Sequence, residues 1–96
     1  MGFEVIYKKR FIVSFAKVLD YLENNWDTKT ANNFYILVTE KINHLKLYPQ
    51  TGSHSHKFKN LRTLSVTKHN RIYYKITNNR IIIINLYDTR KKNYKP

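Results

Sequence analysis

Cysteine is absent, glycine and proline occur twice each, and only six carboxylates stand against eighteen Lys and Arg. Without thiols there is no disulfide, no thiolate metal site and no cysteine nucleophile, which is compatible with a reducing compartment. The two glycines, Gly2 and Gly52, cannot supply a Gly-rich phosphate loop, which argues against a nucleotide-dependent enzyme. No apolar stretch reaches membrane length, and the opening residues lack the long apolar core of an export signal. The expectation is a cytoplasmic protein that neither crosses nor needs a membrane.

What is present is enough for one modest core. The 96 residues are 42% hydrophobic and include five Phe, eight Tyr and one Trp, so residues 1–96 read as a single globular domain. The charge is lopsided. Of the net +12, most sits in residues 57–96, which hold eleven Lys or Arg and one carboxylate, Asp88. That block also shows Val/Ile/Tyr alternation, so the charge rides on a folded surface and on a basic tail over 88–96. Such a face calls for a polyanion or an acidic protein partner.

The order of elements reads as an α+β fold, β-α-α-β-β-β, with a helical hairpin packed on a small, mainly antiparallel sheet. Residues 3–7 form a strand. Phe11, Phe15, Leu19, Leu22 and Trp26 recur at spacings of four and three and trace one helix face, and Trp26 is expected to pack between the helices. Asp27 is the expected N-cap of a second helix carrying Ala31, Phe34, Val38, Ile42 and Leu45, which should end by Tyr48 because Pro49 cannot continue it. Residues 50–60 are polar and turn-rich. Residues 61–67, 72–77 and 80–87 read as a strand meander, with Asn78-Asn79 at one tight turn. The unalternating run 81–84 implies an inner strand covered on both faces.

Few residues carry obvious chemistry. His54 and His56 lack a third ligand nearby and read as solvated loop histidines, while His44, on the polar side of the second helix, and His69, in a hairpin turn, read as simply exposed; no metal or cofactor is expected. Asp88 ends a strand just before Thr89-Arg90, where an ion pair with Arg90 or a turn-stabilising role explains it better than general-base duty. The basic residues Arg62, Lys68, Arg71, Lys75, Arg80, Arg90, Lys91, Lys92 and Lys95 are interleaved with Tyr73, Tyr74, Tyr87 and Tyr94. Cations can hold phosphates while tyrosine rings stack on bases, a composition suited to RNA or single-stranded DNA. Equally, Tyr74 with Ile72 and Ile76 fits a core, and scattered Lys fit solubility.

This order, the segment 66–76, the Leu61-Arg62 strand opening, the ending Leu86-Tyr87-Asp88-Thr89-Arg90 and the helical hairpin with its exit at Pro49 and Gly52 together resemble the RelE/ParE superfamily of toxins from type II toxin–antitoxin, or plasmid-stabilisation, modules. The resemblance covers essentially the whole chain. It implies a growth inhibitor held by a cognate antitoxin, acting either by cutting mRNA on the ribosome or by inhibiting DNA gyrase. On the nuclease pattern, Arg71 matches the phosphate-contacting Arg, and Arg90 and Tyr94 match the remaining catalytic pair. Arg62, Lys68, Lys75, Lys91 and Lys92 would hold nucleic acid. Arg62, Arg71, Arg90 and Tyr94 are then expected to converge at one end of the sheet. Leu64 stands where a second basic residue belongs, and the His and Glu of the better-equipped nucleases are missing. The residues therefore favour an inhibitor over a nuclease. The alternative is a non-toxic basic module that binds nucleic acid with the same fold.

Overall fold

The computed structural model describes residues 2–91. Strand β1 (Glu4–Tyr7) leads into helices α1 (Lys9–Asn25) and α2 (Thr28–Leu47), then a 3-10 turn (Pro49–Thr51) and strands β2 (Ser53–His54), β3 (Arg62–Ser65), β4 (Asn70–Thr77) and β5 (Arg80–Asp88). The sheet order is β1-β5-β4-β3-β2. All neighbours are antiparallel except β1, which runs parallel to β5, with Glu4 opposite Arg80. The helical hairpin supplies the crossover that this parallel pair requires. The two-residue β2 is an addition to the expected meander, too short for alternation to reveal.

Asp27 caps α2 as expected, its carboxylate accepting the Thr30 amide at 2.7 Å. The α2 stripe Ala31, Phe34, Val38, Ile42 and Leu45 is buried throughout. From α1 only Phe11 is fully buried, while Phe15, Val18, Leu19 and Leu22 pack against the same cluster. Phe15 joins the helices directly, its ring 6.1 Å from that of Phe34 and 5.8 Å from that of Tyr35.

Trp26 departs from expectation: it is 71% exposed. The helical spacing holds only while the backbone is helical, and Trp26 follows α1 with φ −128° and ψ −98°. Its side chain therefore leaves the stripe that Leu22 still obeys. Because surface substitutions usually change stability by no more than ~0.5 kcal/mol, Trp26 does not anchor the core.

Strand β5 lies between β1 and β4, as the isoleucine run implied, but its two faces differ. Ile81 and Ile83 are fully buried under the helices, while Ile82 and Ile84 are only half-buried on the other side. The register slips at Tyr73/Tyr74: Tyr74 faces Ile83 and Tyr73 faces Asn85, leaving Ile84 without an opposite number. This bulge shifts the inward phase, so Leu86 returns to the core opposite Ile72. Asn85, buried beside it, accepts the Leu86 amide at 2.8 Å.

One fully buried phenol ties the long loop to the sheet. The Tyr74 hydroxyl donates to the Pro49 carbonyl at 2.7 Å and accepts the Gly52 amide at 2.9 Å. A Cβ on Gly52 would lie 2.5 Å from that hydroxyl and 2.6 Å from the Thr63 carbonyl, so close approach alone demands glycine here. Gly52→Ala and Tyr74→Phe should each lower stability by about 1–3 kcal/mol, by overpacking in the first and by a buried, unpaired amide in the second. Trp26→Ala should leave the melting temperature nearly unchanged. Thermal denaturation of the three variants checks all of this.

Candidate functional site

Alternation along β4 sends Ile72 and Tyr74 towards the helices and Arg71, Tyr73 and Lys75 to the opposite, open face. Cross-strand partners share a face, so Thr63 and Ser65 from β3 and Asn85 and Tyr87 from β5 join them. The half-buried Arg71 donates from Nη2 to Thr63 Oγ1 at 2.8 Å. Neither ion pair found among the described residues, Glu4–Arg80 and Asp88–Arg90, involves it. Beside it, Tyr73 is buried beneath two rings: Tyr87 stacks on it at 4.4 Å and Phe58, from the 55–61 loop, meets it edge-on at 5.5 Å. Burial and the hydrogen bond to Tyr87 push the Tyr73 phenol up to about 12, against the smaller opposing pull of Ser55 and Arg71. At neutral pH it is a donor, not a base.

Arg62 lies elsewhere. It pairs with Tyr74 and so projects on the helix side of the sheet, where Nη1 bonds the Gly52 carbonyl at 2.8 Å and Nη2 lies 3.2 Å from His54 Nε2. It braces the loop that Tyr74 also holds. The parity was readable: Arg62 and Leu64 are two apart on one strand, and a buried Leu64 places Arg62 on the helix side. The expected convergence of Arg62 with Arg71 is therefore not found.

Arg90 is on the helix side too. A groove of about 850 Å³ runs between the hairpin and the end of the sheet, with Val18, Leu22, Phe34, Leu37 and Leu86 among its apolar lining. Among the described residues, Lys17, Arg90 and Lys91 supply its positive charge, and Asp88 its one carboxylate. As expected, Asp88 pairs with Arg90: Oδ1 accepts the Arg90 amide and Nε, each at 2.9 Å, and Oδ2 accepts Nη2 at 2.6 Å. Those bonds, the side-chain ones first, hold the Asp88 carboxyl down at about 2.

Of the other expected contacts, Lys75 shares the open face, Lys68 is exposed in the β3–β4 turn and Lys91 lines the groove. Lys92 and Tyr94 lie outside the described residues. No group of three or more potential metal-ligating side chains occurs among the described residues. Sequence reasoning missed the Phe58 cover and the Tyr73–Tyr87 stack, since Phe58 sits in a loop without periodicity. It also missed the groove, which is assembled from α1, α2, the β3–β4 turn and the end of β5.

Comparison with known proteins places this arrangement. The model of the ParE toxin family of type II toxin–antitoxin systems, parDE, matches residues 5–93. No curated protein sequence matches. Among solved structures, the fold is similar to a chain of the chromosomal ParDE system from P. aeruginosa, with a TM-score of 0.80 at 11% identity over 93% of this chain and 98% of that one. It is also similar to a YoeB/ParE toxin from Agrobacterium tumefaciens, with a TM-score of 0.67 at 11% identity over 88% and 96%. A chain of the E. coli DinJ-YafQ toxin-antitoxin complex gives a TM-score of 0.63 at 10% identity over 92% and 93%.

A depressed carboxyl pKa stabilises the fold above the unfolded-state value of about 3.9, and that contribution is lost as pH falls through the folded-state value. For Asp88 the window of loss therefore runs from about 4 down to about 2. Carbon-detected NMR titration should place the Asp88 midpoint near 2, and Arg90→Ala should raise it towards the ordinary carboxylate range. A midpoint unmoved by Arg90→Ala would contradict the pairing.

Proposed function

Because the chain belongs to the ParE toxin family of type II toxin–antitoxin systems, we propose that it arrests bacterial growth from the cytoplasm by engaging a protein target, with DNA gyrase the first to test, and not by cutting mRNA. The separation of Arg62 from Arg71 carries this reading. A nuclease of the related type needs its cations and a general base around one phosphate. Here Arg62 is committed to the Gly52 carbonyl on the helix side, and Arg90 lies at the groove, away from the face that carries Arg71. The phenol whose charge Arg71 would influence stays protonated up to about 12. Among the described residues Arg71 keeps a neutral threonine partner and has neither Arg62 nor Arg90 beside it on the open face.

The groove supports the second half of the reading, a cognate antitoxin. Its apolar lining and its Lys17, Arg90 and Lys91 fit an acidic segment with apolar anchors, and Tyr21, 60% exposed at the same groove, offers such anchors a ring. Apolar anchors supply most of the affinity in such an interface, and the charged rim speeds and orients association. Net charge of opposite sign on the partner follows from the +12 of this chain.

Short induction in a bacterium, followed by primer-extension mapping of transcripts and a DNA supercoiling assay with purified gyrase, tests the proposal. The expected outcome is growth arrest with intact transcripts and loss of supercoiling or accumulation of DNA breaks. Codon-phased transcript cuts that vanish in Arg71→Ala would establish the nuclease reading instead. Normal growth of the induced culture would leave the chain a non-toxic binding module.

A further inference from the structure

Arg90 is the one guanidinium lining the groove, and its side chain is 66% exposed, yet it is not left to wander. Asp88 grips it from two residues away through Nε and Nη2. The same carboxylate also accepts the Arg90 backbone amide, so the turn itself fixes the gripping group. Asp88 is the less exposed partner, at 27%. A guanidinium has five N–H donors, and Asp88 engages one edge of the fork. The Nη1 end remains for another acceptor. Asn70, opposite Asp88 in the register, and Tyr21 on α1 line the groove with this pair.

An acidic residue inside a site built for an acidic partner looks like a defect, since it offsets one of the three positive charges that the described residues bring to the groove. Magnitudes decide otherwise. Two carboxylates on the two edges of one exposed guanidinium stand roughly 7 Å apart, where in a water-like dielectric at about 0.1 M salt removing the Asp88 charge would strengthen binding of a partner carboxylate by less than about twofold. Ordering a rotamer-rich side chain at an interface weakens binding by roughly two- to twelvefold, and a chain ordered beforehand avoids that loss. Preorganisation outweighs the lost charge.

We propose that Asp88 is a positioning residue for partner recognition: by holding one edge of the Arg90 guanidinium, it presents the other edge to a carboxylate of the acidic antitoxin segment in the groove. The assignment rests on the reading of the groove given above. It predicts a sign opposite to simple charge counting. Asp88→Asn adds net positive charge to the site, yet it should weaken the complex.

The test uses the antitoxin co-purified with the wild-type toxin, separated and titrated back onto full-length variants at low and moderate salt. Asp88→Asn keeps a side-chain oxygen to accept the Arg90 amide, so this variant should fold, and its melting temperature at neutral pH verifies this. Asp88→Ser, which keeps a turn-capping hydroxyl, serves if it does not. Asn33→Trp, an exposed position on the α2 side of the groove and remote in sequence from the pair, tests occupancy of the groove alone. Binding should fall at least tenfold in Asn33→Trp and in Arg90→Ala, and about two- to tenfold in Asp88→Asn. The Asp88→Asn/Arg90→Ala double variant should bind no more weakly than Arg90→Ala, since Asp88 acts through Arg90. If Asn33→Trp weakens binding while Asp88→Asn binds equally or more tightly, the positioning role is overturned and the groove stands. If Asn33→Trp and Arg90→Ala both bind as wild type, the groove reading fails and the positioning role fails with it.

Discussion

The slip in register between β4 and β5 sets the phase on which the rest of the molecule depends. With Ile84 left over opposite Tyr73/Tyr74, the inward positions of β5 pass from Ile81 and Ile83 to Leu86 and Asp88, and the outward ones to Asn85 and Tyr87. Had the pairing continued unbroken, Tyr87 would have turned inward and Asp88 outward, because a one-residue change of phase exchanges the two faces of a strand. The bulge thus assigns the stacked tyrosines to the open face and the Asp88–Arg90 pair to the groove. Asn85, buried beside the irregularity, accepts the Leu86 amide and so satisfies that backbone donor.

Two chemically different surfaces result from one sheet. On the open side, Arg71 stands beside aromatic rings and a bonded threonine hydroxyl, and the neighbouring Tyr73 phenol stays protonated at neutral pH. On the helix side, apolar residues from both helices meet cations at the strand end. The first surface is aromatic and basic. The second fits a polypeptide.

The fold was legible because its signals are local and periodic. The α2 stripe, the Asp27 cap, the stop at Pro49 and the turn at Asn78, which takes φ 48°, all follow from spacing or from a residue's backbone preference. Trp26 escapes such a reading because it lies one residue past the point where the backbone stops being helical. The parallel pairing of β1 left no local trace at all. At the site, the Asp88–Arg90 pair was readable at a spacing of two, whereas the Thr63 hydroxyl at Arg71 and the Phe58 cover over Tyr73 arise from register and loop path. Parity along β3 contained the fate of Arg62, since Leu64 beside it belongs to the core, although the family pattern alone points to the other face.

The parallel pairing of β1 also bears on biosynthesis. Glu4 meets Arg80, 76 residues away, in both the ladder and a salt bridge. At ~5–20 residues per second, strand β1 must wait roughly 4–15 s after its own synthesis for its partner to be made. The helical hairpin is complete well before then, but the sheet that carries Arg71, and the groove that ends at Arg90, cannot close until β5 and the residues just after it have been made. A nascent chain therefore holds neither surface in working order, and a truncated product that stops before β5 should be harmless to the cell that makes it.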